Sequence, residues 1–292
     1  MHAQDLLARR FETHRGHLRA VAYRMLGSVS EADDAVQEAW LRLARHDTDD
    51  VANLVGWLTT VVSRICLDML RTRATRREDP LDLLAELGNA AFDSDPEHEA
   101  VLIDSVGRAL LVVLDTLGPD ERVAFVLHDL FALPFEQIAP IVGRSTATTK
   151  KLASRARHRV QGETTATATE LAEQRHVVEA FLTAARGGDL TALLAVLAPD
   201  VVRVADPAVL PAGLSAVARG ATRVAKETVL LQRRSRAATL ALVNGSVGIL
   251  VAPRGTLLLA ITVTVRDDRV AGYEVIADPA RLRELDLAVL SQ

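Results

Sequence analysis

Hydroxyl and basic side chains follow a turn at Gly143 in a pattern that suits binding to duplex DNA. A short apolar segment with Ile138 and Ala139 precedes the turn, and Ser145 is placed to cap a second, strongly basic helix. This arrangement is typical of a helix-turn-helix, whose second helix enters the major groove. Pro140 should kink or end the first helix, because it removes one helical hydrogen bond. The side chains expected at bases and phosphates are Ser145, Thr146, Thr148, Thr149, Lys150, Lys151, Arg155 and Arg157.

Charge is distributed unevenly along the chain, although the net charge is only −4 at pH 7. Five arginines and one aspartate lie in residues 64–77, and six basic groups without an acid lie in 144–159. Between them, residues 78–104 hold nine acids and no Lys or Arg. Local basic stretches bind phosphates whatever the net charge, because counterions are released locally. The pattern therefore favours nucleic-acid binding; ordinary solvated faces, or a basic helical hairpin without function, are the alternatives.

The elements that would position these side chains begin with three amphipathic helices. Apolar residues at three- and four-residue steps predict helices over 4–27, about 31–45 and 54–76. Ser28 or Ser30 can cap the second helix, whose polar face is acidic. The acidic stretch and a later Thr-rich stretch are predicted linkers. The predicted domains are therefore 1–77, 105–162 and 174–292, joined by linkers 78–104 and 163–173.

The last 120 or so residues change from helix-only patterns to a mixture of helices and β-strands. Helices are predicted over 174–187, about 189–198 and 215–234. Asn244-Gly245 and Asp267-Asp268 occupy the positions of hairpin turns. The pattern predicts an α+β domain with an antiparallel meander. The predicted strands are 201–206, 237–243, 247–252, 256–265 and 269–277.

Composition and motifs exclude several classes of protein. Hydrophobic residues make up 49% of the 292 residues and charged residues 25%, which argues against disorder and coiled coil. We expect no transmembrane helix and no signal peptide, and therefore a soluble cytoplasmic protein. Cys66 is alone, so it is interpreted as a structural thiol, with a redox switch as the weaker alternative. Metal-ligand spacings and phosphate-binding glycine motifs are absent, so we expect no metal and no cofactor.

Three stretches resemble the extracytoplasmic-function group of bacterial sigma-70-type factors. They are YRMLGSVSEADDAVQEAWLRL (23–43), WLTTVVSRICLDMLR (57–71), and LDTLGPDERVAFVLHDLFALPFEQIAPIVGRS with KKLASRARHRV (114–160). The remainder is similar to the SnoaL-like domain that one subgroup carries at its C-terminal end. The resemblance implies two all-α domains, sigma region 2 and a helix-turn-helix region 4, followed by an α+β cone.

The resemblance also implies partners and roles. The family binds core RNA polymerase through its β′ and β subunits and directs it to promoter DNA. The helix at 31–45 would dock on β′ through Asp33, Asp34, Gln37 and Glu38. The helix-turn-helix set would read the minus-thirty-five element, and linker 78–104 would follow the RNA-exit path. The minus-ten element would be contacted by loop 46–53 and by Ser63, Arg64, Asp68, Arg71 and Arg73.

The C-terminal domain is expected to regulate rather than catalyse. His176, Asp200, Asp206 and Asp278 are the candidates for a general base, but the aspartates lie beside prolines or turns and are read as structural. A basic cluster of Arg233, Arg234 and Arg236 is expected to contact the acidic linker, so this domain would touch the sigma domains. Two alternatives stay open: a stand-alone helix-turn-helix regulator with a ligand-sensing domain, and a cone-domain enzyme fused to a DNA-binding module.

Overall fold

The structure is a computed structural model that describes residues 2–45, 53–76, 105–211 and 213–290. The described residues form two compact units. The first unit contains the described residues up to 76 together with 114–158. The second contains 105–113 together with the described residues from 159 onward.

The helical part of the chain follows the predicted pattern. Gly27, in the left-handed region at φ 78°, ends the first helix, and Ser28 caps the second by accepting from the Glu31 N–H at 3.4 Å. The five residues that continue α5 form a π-helical turn, Val126–Leu130. The helices are α1 (His2–Leu26), α2 (Val29–Ala44), α3 (Leu54–Arg76), α4 (Ser105–Asp115), α5 (Pro119–Phe125), α6 (Phe135–Val142) and α7 (Thr146–Gln161).

The core of the first unit forms where α1, α2 and α3 pack against one another. Alanines on the buried face of α2 let the helix backbones approach closely. Larger side chains fill the remaining space, among them Phe11, Leu18 and Met25 of α1 and Leu58 of α3, all of which are fully buried. Helix α3 also packs against α5 and α6. The described residues of expected domain 1–77 thus share one compact unit with most of the helix-turn-helix region.

The second unit is a mixed sheet with helices packed against it. In the described part of the chain seven strands form one sheet in the order β2-β1-β6-β5-β4-β3-β7. Its elements are α8 (Ala168–Gly187), α9 (Leu190–Val196), β1 (Leu197–Ala205), β2 (Val217–Arg219), α10 (Ala221–Leu230), α11 (Gln232–Ser235), β3 (Ala238–Val243), β4 (Ser246–Val251), β5 (Leu259–Arg266), β6 (Arg269–Ile276), α12 (Pro279–Glu284) and β7 (Leu287–Ala288).

Strands β3 to β6 form the antiparallel meander expected from the sequence, with pairs such as Leu240–Ile249 and Val263–Tyr273. Asn244 and Gly245 have φ values of 52° and 76°, which is the geometry of the tight hairpin turn predicted there. Strand β1 departs from the meander because it pairs with β6 in parallel. The predicted antiparallel meander thus describes β3 to β6, and β1 is joined to it in parallel.

Three predicted boundaries in this unit were wrong. Helix α8 begins at Ala168, inside the stretch expected as linker, because Thr167 and Glu170 form a reciprocal capping box. Strand β1 begins at Leu197, and its pairing shifts register between Leu197 and Val202, where Pro199 lacks an N–H. Gly220, at φ 87°, separates strand β2 from helix α10 within the segment expected to be one helix, 215–234.

Candidate nucleic-acid interface

Helix α2 presents the acidic face that the sequence indicates. Ala32, Ala35, Val36 and Ala39 form its buried face, and the polar residues on the opposite face point outward. Asp33, Asp34 and Gln37 are exposed, and Glu38 is half-buried. Asp33 pairs with Arg19 of α1 at 2.7 Å, whereas Glu38 pairs with Arg42 one turn further along α2 at 2.9 Å. The four residues predicted to dock on a partner therefore share one surface of this helix.

Helix α3 carries most of the residues expected at the minus-ten element. Arg64, Asp68 and Arg71 recur about every fourth or third residue and are exposed, and Arg73 is half-buried in an ion pair with Glu31. Ser63 is a correction: its side chain is fully buried, so it cannot reach DNA in this structure. It falls on the core side because it lies one helical turn before Cys66 and Leu67, whose side chains are also buried. The loop expected to assist, 46–53, lies outside the described residues except for Asn53.

The basic face of α3 is engaged by the helix-turn-helix region of the same unit. Arg71 donates from Nη2 to Asp120 Oδ1 at 2.7 Å and to the Val142 carbonyl at 3.3 Å. Arg64 donates to the Pro140 carbonyl at 3.4 Å. Asp120, at the start of α5, also accepts from Arg144 at 3.3 Å. Two of the arginines expected at single-stranded DNA are thus bound to the region expected to read duplex DNA.

The helix-turn-helix has the predicted construction. Helix α6 ends at Gly143, at φ 69°, and Ser145 caps α7 by accepting from the Thr148 N–H at 3.2 Å. Pro140 does not end α6, which was one of the two outcomes expected there, because the helix continues to Val142. In so short a helix the missing Pro140 N–H removes a single bond, to the Glu136 carbonyl, and the buried side chains around it hold the turn together.

The solvent-facing surface of α7 carries most of the residues expected at the minus-thirty-five element. Ser145 is exposed, Thr146 is half-buried, and Arg157 pairs with Asp129 at 2.6 Å. Lys150 also lies over the Phe135 ring at 5.8 Å. Thr149 is a correction, because its side chain is fully buried and its hydroxyl donates to the carbonyl of the capping serine at 3.0 Å. The other exposed members are Thr148, Lys150, Lys151 and Arg155.

An aromatic pair braces α6, and sequence reasoning did not identify it. His128 stacks on Phe135 with ring centroids 3.8 Å apart, and its Nδ1 lies 2.9 Å from the Leu133 carbonyl. The π-helical turn places His128 at this position. A histidine seven residues before a phenylalanine is a weak sequence signal for ring stacking. A loop separates the two residues here, so helical periodicity does not predict that their rings meet. His128 thus packs against α6 in a structural role.

In the α+β unit, the acids considered as general bases have structural partners. Asp206 accepts from the backbone N–H groups of Ala277 and Asp278 at 2.8 and 3.0 Å and pairs with Arg281 at 2.8 Å. Burial raises the pKa of Asp206, but these hydrogen bonds and the guanidinium outweigh it and hold the pKa below its ordinary value. Asp278 caps α12 by accepting from the Arg281 N–H at 2.9 Å. Both aspartates therefore have the structural role expected from the sequence.

The remaining candidates do not converge on a catalytic centre. Asp200 of β1 and His176 of α8 are exposed. In the ranges that the structure covers, no three His, Cys, Asp or Glu side chains are grouped so that they could hold a metal ion. Arg233 and Arg236 are exposed, while Arg234 donates to the Val209 carbonyl. Their expected partner, linker 78–104, lies outside the described residues, so that contact stays a prediction.

Cys66 is fully buried in α3, and burial raises the pKa of its thiol to about 12. Among the described helices, none is both long enough and apolar enough to cross a membrane.

Comparison with known proteins connects this geometry to a family. The chain matches the family described as Sigma-70 region 2 over residues 10–76 and the family described as Sigma-70, region 4 over residues 107–160. The first match contains α2 and α3, and the second contains the helix-turn-helix. A stand-alone helix-turn-helix regulator would leave the first match unexplained, so that alternative is not favoured.

Relatives extend the similarity through the α+β unit. The chain is 37% identical to the probable ECF RNA polymerase sigma factor SigI of Mycobacterium tuberculosis over 290 residues, covering 98% of both chains. It is 40% identical to the ECF RNA polymerase sigma factor SigJ of the same species over 285 residues, 92% of this chain and 91% of that one. The SigJ crystal structure covers 94% of this chain and 98% of its own at 34% identity and a TM-score of 0.45. The chain therefore belongs to the extracytoplasmic-function sigma factors of the sigma-70 family, in the subgroup that carries a C-terminal α+β domain.

Proposed function

We propose that this protein binds core RNA polymerase through its β′ and β subunits and directs it to a subset of promoters. The observation that carries the proposal is the match to sigma regions 2 and 4, in order, within a chain that is similar to sigma factors over almost its full length. Since it acts with the polymerase, its place of action is the cytoplasm.

The exposed face of α2 supports the contact with polymerase. Asp33, Asp34, Gln37 and Glu38 form an acidic surface that suits a basic helical partner. Asp33 and Glu38 already have intramolecular partners, so Asp34 is the acid best suited to meet a basic residue of the polymerase.

Contacts to DNA are divided between α3 and α7. We assign the minus-ten element to Arg64, Asp68, Arg71 and Arg73, and leave the buried Ser63 out. Arginines along one helix face follow a single-stranded backbone, and the exposed polar start of α7 suits base edges in the major groove. We assign the minus-thirty-five element to Ser145, Thr146, Thr148, Lys150, Lys151, Arg155 and Arg157, and leave the buried Thr149 out.

The C-terminal α+β domain is proposed to modulate initiation without catalysing a reaction of its own. The structural role of Asp206 supports this, because a carboxylate that accepts from several donors and has a lowered pKa is a weak general base. A catalytic cone domain would instead present a titratable group free to take a proton from a substrate.

Transcription in vitro from a pool of genomic fragments tests the proposal. Core polymerase with the full chain should give specific transcripts that core alone does not give. Asp34→Arg should lower both core binding and transcript yield by at least 10-fold, whereas Glu173→Arg, an equal charge reversal on exposed α8, should change neither. Duplex DNA binding without any core binding would overturn the sigma assignment of function in favour of a stand-alone regulator.

A further inference from the structure

A cavity of about 80 Å³ lies inside the α+β domain, between the sheet and helices α8, α10 and α11. Apolar side chains form most of its wall, including Phe181 of α8, Leu259 and Ile261 of β5, and Val275 of β6. One water needs about 10–15 Å³ by a comparable measure, so the cavity has room for roughly five to eight non-hydrogen atoms. Its size and lining suit a small, mostly hydrocarbon molecule.

A buried arginine stands in this apolar wall. The Arg203 side chain, on β1, is only 4% exposed, and its Nη2 donates to the Glu227 carboxylate of α10. Among the residues that the structure describes, its Nη1 has no hydrogen-bond partner. A buried donor without an acceptor costs about 1–3 kcal/mol, so proteins rarely keep one without a use. The Arg203 guanidinium therefore has donor capacity that its own ion pair does not fill.

Neighbouring polar groups do not take up that capacity. Glu227 is shared, because its other oxygen accepts from Arg223 at 2.9 Å. Thr228 donates its hydroxyl proton to the Val224 carbonyl at 2.8 Å, which leaves Tyr273 to donate to Thr228 at 3.1 Å. These hydrogen bonds join the polar side chains near the cavity to one another, and none of them supplies an acceptor for Arg203.

The charges around the cavity favour an anion. Arg203 and Arg234 both line it, and Glu227 is the single acid among the described lining residues. Arg223, outside the cavity, competes for the same Glu227 carboxylate. In a low-dielectric environment, a guanidinium whose charge is not fully compensated is best stabilised by a carboxylate. The two carboxylate oxygens match the planar geometry of the guanidinium N–H groups.

We propose that this cavity binds a short apolar carboxylate, whose oxygens accept from the N–H groups of Arg203 that Glu227 leaves unused. The hydrocarbon part would lie against the apolar wall. The proposed site would give the modulatory role of this domain a ligand, and it rests on that role. Ligand binding itself needs neither polymerase nor promoter. A failure of binding and a failure of sigma activity are thus separate results.

Calorimetric titration of the full chain with hexanoate, which has eight non-hydrogen atoms, tests the proposal. We expect saturable 1:1 binding, and at least 10-fold weaker binding of hexanamide, the neutral molecule of the same size. This comparison uses the unchanged protein and does not depend on the folding of any variant. Equal affinity for the two molecules, or no saturable binding of hexanoate, overturns the proposal.

Two variants locate the site. Arg203→Lys keeps a positive charge beside Glu227 but removes the second N–H group that the guanidinium would offer to the ligand. Ala205→Leu fills the cavity and leaves both residues of the ion pair unchanged. Each should weaken hexanoate binding at least 10-fold, provided that circular dichroism shows a folded domain. Arg219→Lys, the same exchange at an exposed position of β2, should leave binding unchanged. Unchanged hexanoate binding in both folded cavity variants would place the ligand elsewhere and overturn the proposal.

Discussion

Arg71 of α3 and Asp120 of α5 form an ion pair, with Nη2 of the arginine 2.7 Å from Oδ1 of the carboxylate. The first residue belongs to sigma region 2 and the second to region 4. Arg71 is proposed to contact the minus-ten element, so it cannot serve the ion pair and the DNA together. If Arg71 binds the minus-ten element as proposed, its ion pair with Asp120 has to open before α3 can bind a promoter strand.

Asp120→Asn should favour the open arrangement, in which Arg71 is no longer paired with residue 120. The change removes the ion pairs from Asp120 to Arg71 and to Arg144. Because the Arg71 side chain is 45% exposed, the pair should contribute only about 0.2–1 kcal/mol, or roughly 1.5- to 5-fold in the equilibrium. When promoter DNA is limiting, the transcript yield should therefore rise by roughly 1.5- to 5-fold. Glu12→Gln, which removes an exposed ion pair within α1, is the control, and an unchanged or lower yield with Asp120→Asn would contradict the prediction.

Lys151 and Arg155 are expected to hold phosphates beside the minus-thirty-five element. Lys151→Ala should weaken binding to all promoter sequences alike and lower the slope of log affinity against log salt by about 1. Arg155→Ala should act in the same way. Fluorescence anisotropy at several salt concentrations measures the slope. Lys226→Ala, at an exposed position of α10, should leave it unaltered. An unchanged slope in Lys151→Ala would remove this residue from the interface.

Cys66 should be unreactive in the folded protein. The thiolate is the reactive form, and burial raises the pKa of this thiol to about 12, so little thiolate exists at pH 8. A thiol-specific reagent should modify the native chain at least roughly 100-fold more slowly than the urea-unfolded chain. Rapid modification of native protein, with its secondary structure retained, would instead support the redox-switch alternative.

Asp206 should give the α+β domain a pH-dependent stability. Its pKa is lowered in the folded state, so its contribution is fully present above the unfolded pKa of about 3.9. The contribution is lost as the pH falls through the lower folded pKa. Asp206→Asn should therefore reduce the free energy of unfolding at pH 7, and its difference from the unchanged protein should shrink below about pH 4. Urea unfolding at both pH values checks this, and a difference that grows with acid would refute it.

Thr167 should contribute to stability through the capping box of α8. The Thr167 hydroxyl accepts from the Glu170 N–H at 3.2 Å, and the Glu170 carboxylate accepts from the Thr167 N–H at 2.7 Å. Thr167→Ala should lower the free energy of unfolding by about 1 kcal/mol. Thr183→Ala, at an exposed position inside the same helix, should be neutral or slightly stabilising. Equal effects of the two substitutions in thermal unfolding would show that the cap contributes nothing.

Local patterns in the sequence predicted most of the elements. The spacing of apolar residues predicts α1 to α3, the Gly143–Ser145 turn predicts the helix-turn-helix, and Asn244-Gly245 predicts a hairpin. These features depend on residues within a few positions of one another, so a single sequence contains the information. The outward positions of Asp34 on α2 and Lys151 on α7 follow from the same periodicity.

Tertiary structure decided which polar side chains remain available. Ser63 and Thr149 are buried, whereas Thr148, a hydroxyl residue next to Thr149, is exposed. The pairing of Arg71 with Asp120 joins residues 49 positions apart. The parallel pairing of β1 with β6 and the position of Arg203 in the cavity wall likewise depend on distant segments. Local propensity cannot determine these contacts, because they form only when the whole chain packs.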